Sequence, residues 1–227
     1  MDKKNIQSLE KILDYNFNDK NLLELALTHR SFQGKNNERL EFLGDSILNF
    51  IIAELLFKKF NALPEGDLSR LRSQLVKSAT LSEIGILLNL GDYLILGEGE
   101  LKSSGWRRPS ILADSVEAII GAVFIDGGIK ASHNLIINWF KDRIDSINPN
   151  DIEKDSKSLL QELLQAKKIP LPDYDVISIE GEAHCQYFKV SCTISKLGVI
   201  IEGEGSSRKI AEQGAAEEML KKLKKDL

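Results

Sequence analysis

The 227 residues are 42% hydrophobic and 28% charged, a balance suited to one or two globular domains, each with its own core. The longest strongly apolar run, Ile47 to Phe57, is broken by Asn49 and Glu54 and is too short to span a bilayer. The opening MDKKNIQSLEKIL lacks a signal-peptide core, so the expected compartment is the cytoplasm and no membrane partner is expected. A net charge of -4 leaves nucleic-acid binding to local clustering.

In chain order, Asn5 to Asp14 and Asn21 to Thr28 read as short helices, the second capped by Asp19. His29, beside an apolar segment, reads as a hydrogen-bonded loop residue in preference to a catalytic one. A long helix is predicted from about Asn37 to Phe60. Its start places Glu38, Glu41 and Asp45 within an arc of roughly 60° at 100° per residue. Past Asp45 it is apolar almost all round (Ile47, Leu48, Phe50, Ile51, Ile52, Leu55, Leu56, Phe57), which predicts burial in a core or a subunit interface. Gly44, inside the helix, predicts close approach of another backbone.

Asp67 is the expected cap of a helix from Leu68 to about Ser78, and another helix runs from Thr80 to Leu88. Gly91 to Gly105 reads as a loop whose Gly97-Glu98-Gly99 follows no strand and makes no phosphate cradle. A second apolar helix, Ser110 to Phe124 with Ser110 as N-cap, carries Asp114 and Glu117 on one face. Asp126-Gly127-Gly128 ends it, and Ala131 to Ile144 forms one more. Ser146 to Asp155 has linker composition. Beyond it come a helix (Ser156 to Ala166), strands at Val176 to Glu180, Gln186 to Ser195 and Val199 to Glu204, and a helix from Ser207 to about Lys224. Cys185 and Cys192 are placed in one strand region on opposite faces, which argues against a disulfide, and no zinc set surrounds them. The fold class is therefore multidomain, an all-α domain over 1–148, a linker over 149–155 and an α-β-β-β-α domain over 156–225.

Two apolar helices that each offer acids at helical spacing suggest a cation held between them, because unpaired buried carboxylates repel. The ligand set is all oxygen and contains no histidine, which favours magnesium, with manganese as a substitute. Such a site polarises a phosphoryl oxygen and activates water, pointing to phosphoester hydrolysis. In the last domain, Gly205-Ser206-Ser207-Arg208-Lys209 places cations and hydroxyls at a helix N-terminus, where phosphate is favoured.

Asn37 to Leu48 (NERLEFLGDSIL) resembles the ribonuclease III signature. Ser110 to Gly121 (SILADSVEAIIG) resembles that family's second acidic motif, and Ser156 to Leu223 its double-stranded RNA-binding domain. The resemblance implies Glu41, Asp114 and Glu117 as magnesium ligands, Asp45 and Glu117 as catalytic residues, and Glu38 and Glu65 as supporting acids. It implies Gln161 and Glu162 facing one minor groove, His184 entering the next, and Arg208 and Lys209 on the intervening phosphates. It further implies a homodimer that cuts double-stranded RNA, leaving 5′-phosphate and 3′-hydroxyl ends, with ribosomal RNA precursors and some messenger RNAs as substrates. From Asp151 onward, 12 Lys+Arg against 14 Asp+Glu give -2, so binding should depend on clustering and weaken steeply with salt. Two other readings stand beside this one. A non-catalytic double-stranded RNA-binding protein would be expected to lose some of the acids, and a small-molecule phosphohydrolase leaves the last domain unexplained.

Overall fold

The computed structural model describes residues 6–149, 156–182 and 185–226. Contacts divide the chain into two units, Met1–Ile152 and Glu153–Leu227. The division falls within the stretch expected as a linker, of which residues 150–155 lie outside the described residues.

The first unit is helical: α1 (Ile6–Leu13), α2 (Lys20–Ala26), α3 (Glu38–Lys59), α4 (Glu65–Val76), α5 (Ser78–Leu87), the short α6 (Glu98–Lys102) and α7 (Pro109–Asp145). Helix α2 is capped as expected, the Asp19 carboxylate accepting from the Asn21 N–H at 3.0 Å. Helix α7 is kinked at Gly128, whose φ of 75° is a conformation glycine adopts without steric cost. Leu48, Ile51 and Ile52 of α3 pack with Val116, Ile119, Ile120 and Val123 of α7 in one apolar core.

Several boundaries differ from the sequence expectation. Helix α7 starts on Pro109 with Arg108 as its N-cap, so Ser110 is an exposed helical residue and not the cap. Proline suits the first helical position because the N–H it lacks would have no partner there. Helix α4 starts at Glu65, and Asp67 is a buried first-turn residue bonded to Arg70 at 2.7 Å instead of a cap. The expected loop from Gly91 contains α6 and two single 3-10 turns. Helix α3 does not bury all its apolar residues: Phe42, Phe50 and Phe57 are 77%, 61% and 71% exposed.

The second unit runs α8 (Ser156–Ala166), β1 (Asp173–Glu180), β2 (Tyr187–Ile194), β3 (Val199–Gly205), α9 (Arg208–Asp226), with an antiparallel sheet in the order β1-β2-β3. Alternation along β2 buries Val190, Cys192 and Ile194. Cys192 and Ile194 pack against Leu160 and Leu164 of α8 and Ala215, Ala216 and Met219 of α9. Strand β1 begins three residues before the expected Val176, since Asp173, Tyr174 and Asp175 pair with Thr193, Cys192 and Ser191. Cys185 precedes β2 and is exposed, so it does not share a strand with buried Cys192 as expected, and both thiols are free.

Candidate metal centre

The site is set where α3 crosses α7. Gly44 and Gly121 meet there with no room for a side chain: a Cβ on Gly44 would overlap the Glu117 carbonyl, and one on Gly121 the Leu40 carbonyl. This backbone contact puts Glu41, about one turn before Gly44, opposite Glu117, about one turn before Gly121.

Carboxylate oxygens of Glu41, Asp114 and Glu117, all half-buried, lie within 4.8 Å of one another. Opposite ligands of an octahedral magnesium stand about 4.2 Å apart, so small side-chain rotations would close the three acids on such an ion. Without a cation the cluster is electrostatically unfavourable. Burial, then the charges of Asp45, Glu41 and Asp114, push the Glu117 carboxyl up to about 8. The Glu41 carboxyl is raised by burial and by Asp114 and Glu38, and that of Asp114 by burial, against the opposing effect of His29 and Arg30. A carboxyl that holds its proton at neutral pH in an acidic cleft marks a place for positive charge.

The other expected acids take different positions. Asp45 is exposed on α3, where Asn49 Nδ2 donates to its Oδ1 at 2.8 Å. The charge of Asp45 is felt at Glu117. Glu38 is exposed, accepts from Asn36 Nδ2 at 3.0 Å and faces Arg30 at 3.8 Å. Glu65 is not among the clustered acids and does not line their cleft: it accepts from Ser69 Oγ at 2.7 Å and lines another groove with Phe50, Phe57 and Arg72.

A cavity of about 430 Å³ opens on Glu38, Glu41 and Asp114 and is also lined by His29, Arg30, Glu100, Arg108 and Ser110. Sequence reasoning did not weigh Arg30, Glu100 or Arg108. The signal was the cation pair Arg107-Arg108 immediately before the acidic helix. His29 is buried, and its Nδ1 accepts from the Ser31 backbone N–H at 3.2 Å and lies 2.8 Å from Ser31 Oγ, which places the ring proton on Nε2. Ser31 Oγ in turn accepts from the Gly97 N–H at 2.9 Å. Burial lowers the His29 pKa, as befits a neutral ring that orders this loop.

In the second unit Gln161 and Glu162 are exposed on α8, and Arg208 and Lys209 are exposed in the first turn of α9. Ser207 Oγ accepts from the Ile210 N–H at 3.3 Å at that helix start. His184 lies outside the described residues.

Comparison with known proteins gives a consistent result. Residues 19–144 match the ribonuclease-III-like family, and residues 156–223 match the double-stranded RNA binding motif. The chain is 54% identical over 215 residues to ribonuclease 3 of Hahella chejuensis, covering 95% of each. It is 57% identical over 219 residues to ribonuclease 3 of a Marinomonas species, covering 96% of each. Among solved structures, the nuclease domain of ribonuclease III from Campylobacter jejuni is similar with a TM-score of 0.61 and 44% identity, covering 64% of this chain and 99% of that one. A second structure of that domain, described for flexibility in a region involved in dimer formation, gives 0.60 and 45%, covering 61% of this chain and 97% of that one.

Proposed function

The chain belongs to the ribonuclease III family, and from that premise we propose that it is a magnesium-dependent endoribonuclease that hydrolyses double-stranded RNA as a homodimer. The observation that carries this reading is the convergence of Glu41, Asp114 and Glu117 within 4.8 Å, with the Glu117 carboxyl raised to about 8.

Glu41, Asp114 and Glu117 would hold the cation. When bound, magnesium, or manganese in its place, supplies polarisation of a phosphoryl oxygen and lowers the pKa of water. Asp45 has one oxygen engaged by Asn49. Its other oxygen accepts a hydrogen bond from the attacking water and orients it in line with the scissile bond. Glu117 would lose its proton to take up the ligand role, so that the cation held there, and not the carboxylate itself, would offset the charge that builds on the phosphate. Water adds to phosphorus and releases a proton to solvent as the bond from phosphorus to the 3′ oxygen breaks; that oxygen takes up a proton from solvent, leaving 5′-phosphate and 3′-hydroxyl ends. Glu38, through Arg30, supports the rim of the cleft.

The exposed stripe of Phe42, Phe50 and Phe57 supports a dimer through α3, since apolar patches of this kind mark association surfaces. Glu65 borders that stripe, and Phe57 beside it stands roughly 24 Å along α3 from Glu41 at 1.5 Å per residue. A supporting role for Glu65 therefore runs across the subunit interface. Gln161, Glu162, His184, Arg208 and Lys209 bind the duplex. Ribosomal RNA precursors and some messenger RNAs in the cytoplasm are the proposed substrates.

The test is incubation of the protein with a long RNA duplex, with and without magnesium, beside Glu117→Ala. Cleavage is expected only with magnesium and intact Glu117, while duplex binding survives the substitution. Equal cleavage by the variant, or cleavage in chelator, overturns the reading.

A further inference from the structure

Glu212 lies inside the second unit, one turn along α9 from Arg208, which is expected to contact RNA, so its negative charge should weaken binding. Its side chain is only 12% exposed, and its two oxygens are divided between two helices. Oε2 accepts from Lys157 Nζ of α8 at 2.6 Å, and Oε1 accepts from Arg208 Nε of α9 at 2.8 Å. The Lys157 backbone N–H donates to Gln213 Oε1 at 3.1 Å, and its Nζ also stands 4.2 Å from the centre of the Tyr174 ring in β1. Burial raises the Glu212 carboxyl, yet hydrogen bonds from Lys157 and Arg208 hold it below the usual glutamate range, so it stays ionised.

The chemistry of arginine gives this arrangement a direction. A guanidinium offers five N–H donors in a rigid fork, so engagement through Nε leaves the terminal N–H groups for a second anion. Arg208 is 60% exposed at the start of α9, where the helix N-terminus also favours phosphate. Lys157, only 28% exposed and held by both a carboxylate and a ring, serves as a strut and not as a phosphate ligand. Gln161 stands one turn along α8 from Lys157, so fixing Lys157 fixes the height of Gln161 on the same face.

We propose that Glu212 is a positioning residue for duplex RNA: shared between Lys157 and Arg208, it locks the first turns of α8 and α9 together and presents the Arg208 guanidinium end-on to a phosphate. This inference rests on the reading that Arg208 and Gln161 contact RNA. Its signature is a sign. Removing the negative charge of Glu212 weakens binding, whereas a purely Coulombic role predicts that it strengthens binding.

The test uses the full chain in chelator, so that no cleavage occurs, and a duplex of roughly 30 base pairs, longer than the ~16 such a module spans. Affinity is measured against salt for the wild type, Glu212→Gln, Arg208→Gln and the double variant. Glu212→Gln is expected to weaken binding roughly tenfold, as loss of a charge-assisted phosphate contact does. It should lower the salt slope by about one unit, as Arg208→Gln does. The double variant should be weaker than Arg208→Gln alone by less than Glu212→Gln weakens the wild type, because only the Lys157 arm is left to lose. With magnesium, Glu212→Gln should raise KM and leave kcat unchanged. Glu212→Asp keeps the charge but is one methylene too short to hold both partners, and it should weaken binding as well. Wild-type or tighter affinity in both Glu212 variants overturns the proposal. Unchanged affinity in Arg208→Gln overturns the underlying RNA-contact reading instead.

Discussion

Gly44 and Gly121 are packed backbone to backbone where α3 crosses α7, and the position of each excludes a side chain on the other helix. The contact sets the heights of Glu41 on one helix and of Asp114 and Glu117 on the other. Gly44→Ala would force the helices apart, since the atom it meets is the Glu117 carbonyl and not a side chain that can turn away. Overpacking of this kind typically costs 1–3 kcal/mol, and with an unyielding backbone a loss of about 3 kcal/mol is expected, together with loss of magnesium-dependent cleavage. Gly66, in the first turn of α4, has nothing within 4 Å of its would-be Cβ. Gly66→Ala should therefore stabilise by about 0.5–1 kcal/mol. Urea melts of the two variants check both signs.

The raised Glu117 carboxyl gives the metal-free protein a pH dependence. Its folded pKa of about 8 lies above the ordinary glutamate value of 4.5, so between these values the native state holds a proton that the unfolded state has released. The stabilisation this proton provides is complete below the unfolded pKa and is lost as pH rises to about 8. A divalent cation replaces the proton, so apparent metal affinity should rise with pH over the same window. Glu117→Gln should remove the slope. In chelator at pH 8.5 it should melt above the wild type by a few degrees, corresponding to about 1 kcal/mol after allowance for solvent screening. Magnesium should then raise its melting temperature little. Parallel decline of both proteins between pH 6 and 8.5 would rule out Glu117 as the source.

The centre was legible in the sequence as far as helical spacing reaches. Glu41, Asp114 and Glu117 were each marked by an acid in an apolar helix, and Gly44 by a glycine where alanine would be better. Periodicity within one helix says nothing about which face meets a neighbour. Asp45 therefore read as one of the buried acids although it is exposed, and Gly121, the other half of the crossing, carried no signal. Apolar Phe42, Phe50 and Phe57 read the same whether a core or a second molecule covers them. Glu212 was only half visible for a related reason: Arg208 stands one turn before it on the same helix, but Lys157 comes from the other end of the domain.

The phenylalanine stripe yields a prediction about assembly. Phe50 and Phe57 are exposed in the single chain, so their loss leaves the core of the unit intact. Burying such a ring against a partner contributes about 1.5–3 kcal/mol. Phe50→Ala with Phe57→Ala should therefore weaken dimerisation by at least about 100-fold while shifting the melting of the monomeric fold little. Sedimentation across a concentration series measures this, and an unchanged dimer constant would place the interface elsewhere.

Asp126 links the end of the acidic arm of α7 to the loop between α1 and α2. Its Oδ2 accepts from Tyr15 Oη at 2.7 Å and from the Asn18 N–H at 2.9 Å, and its Oδ1 from the Asp19 N–H at 2.9 Å. Burial works against ionisation of Asp126, but these donors hold its pKa below the usual range. Burial and the Asp126 charge push the Tyr15 hydroxyl up to about 12. Because the folded pKa of Asp126 is depressed, its contribution is present above the unfolded pKa near 4 and is lost as pH falls through the folded value. Asp126→Ala should cost about 2 kcal/mol at pH 7, since charge-assisted bonds to a partly exposed carboxylate are stronger than neutral ones but weaker than fully buried ones. The cost should shrink below pH 4, where the wild type loses the same bonds. Spectrophotometric titration should show one tyrosine moving down from about 12 toward the ordinary value near 10 in the variant. Wild-type tyrosine titration with an unchanged urea midpoint would show that Asp126 does not anchor the loop.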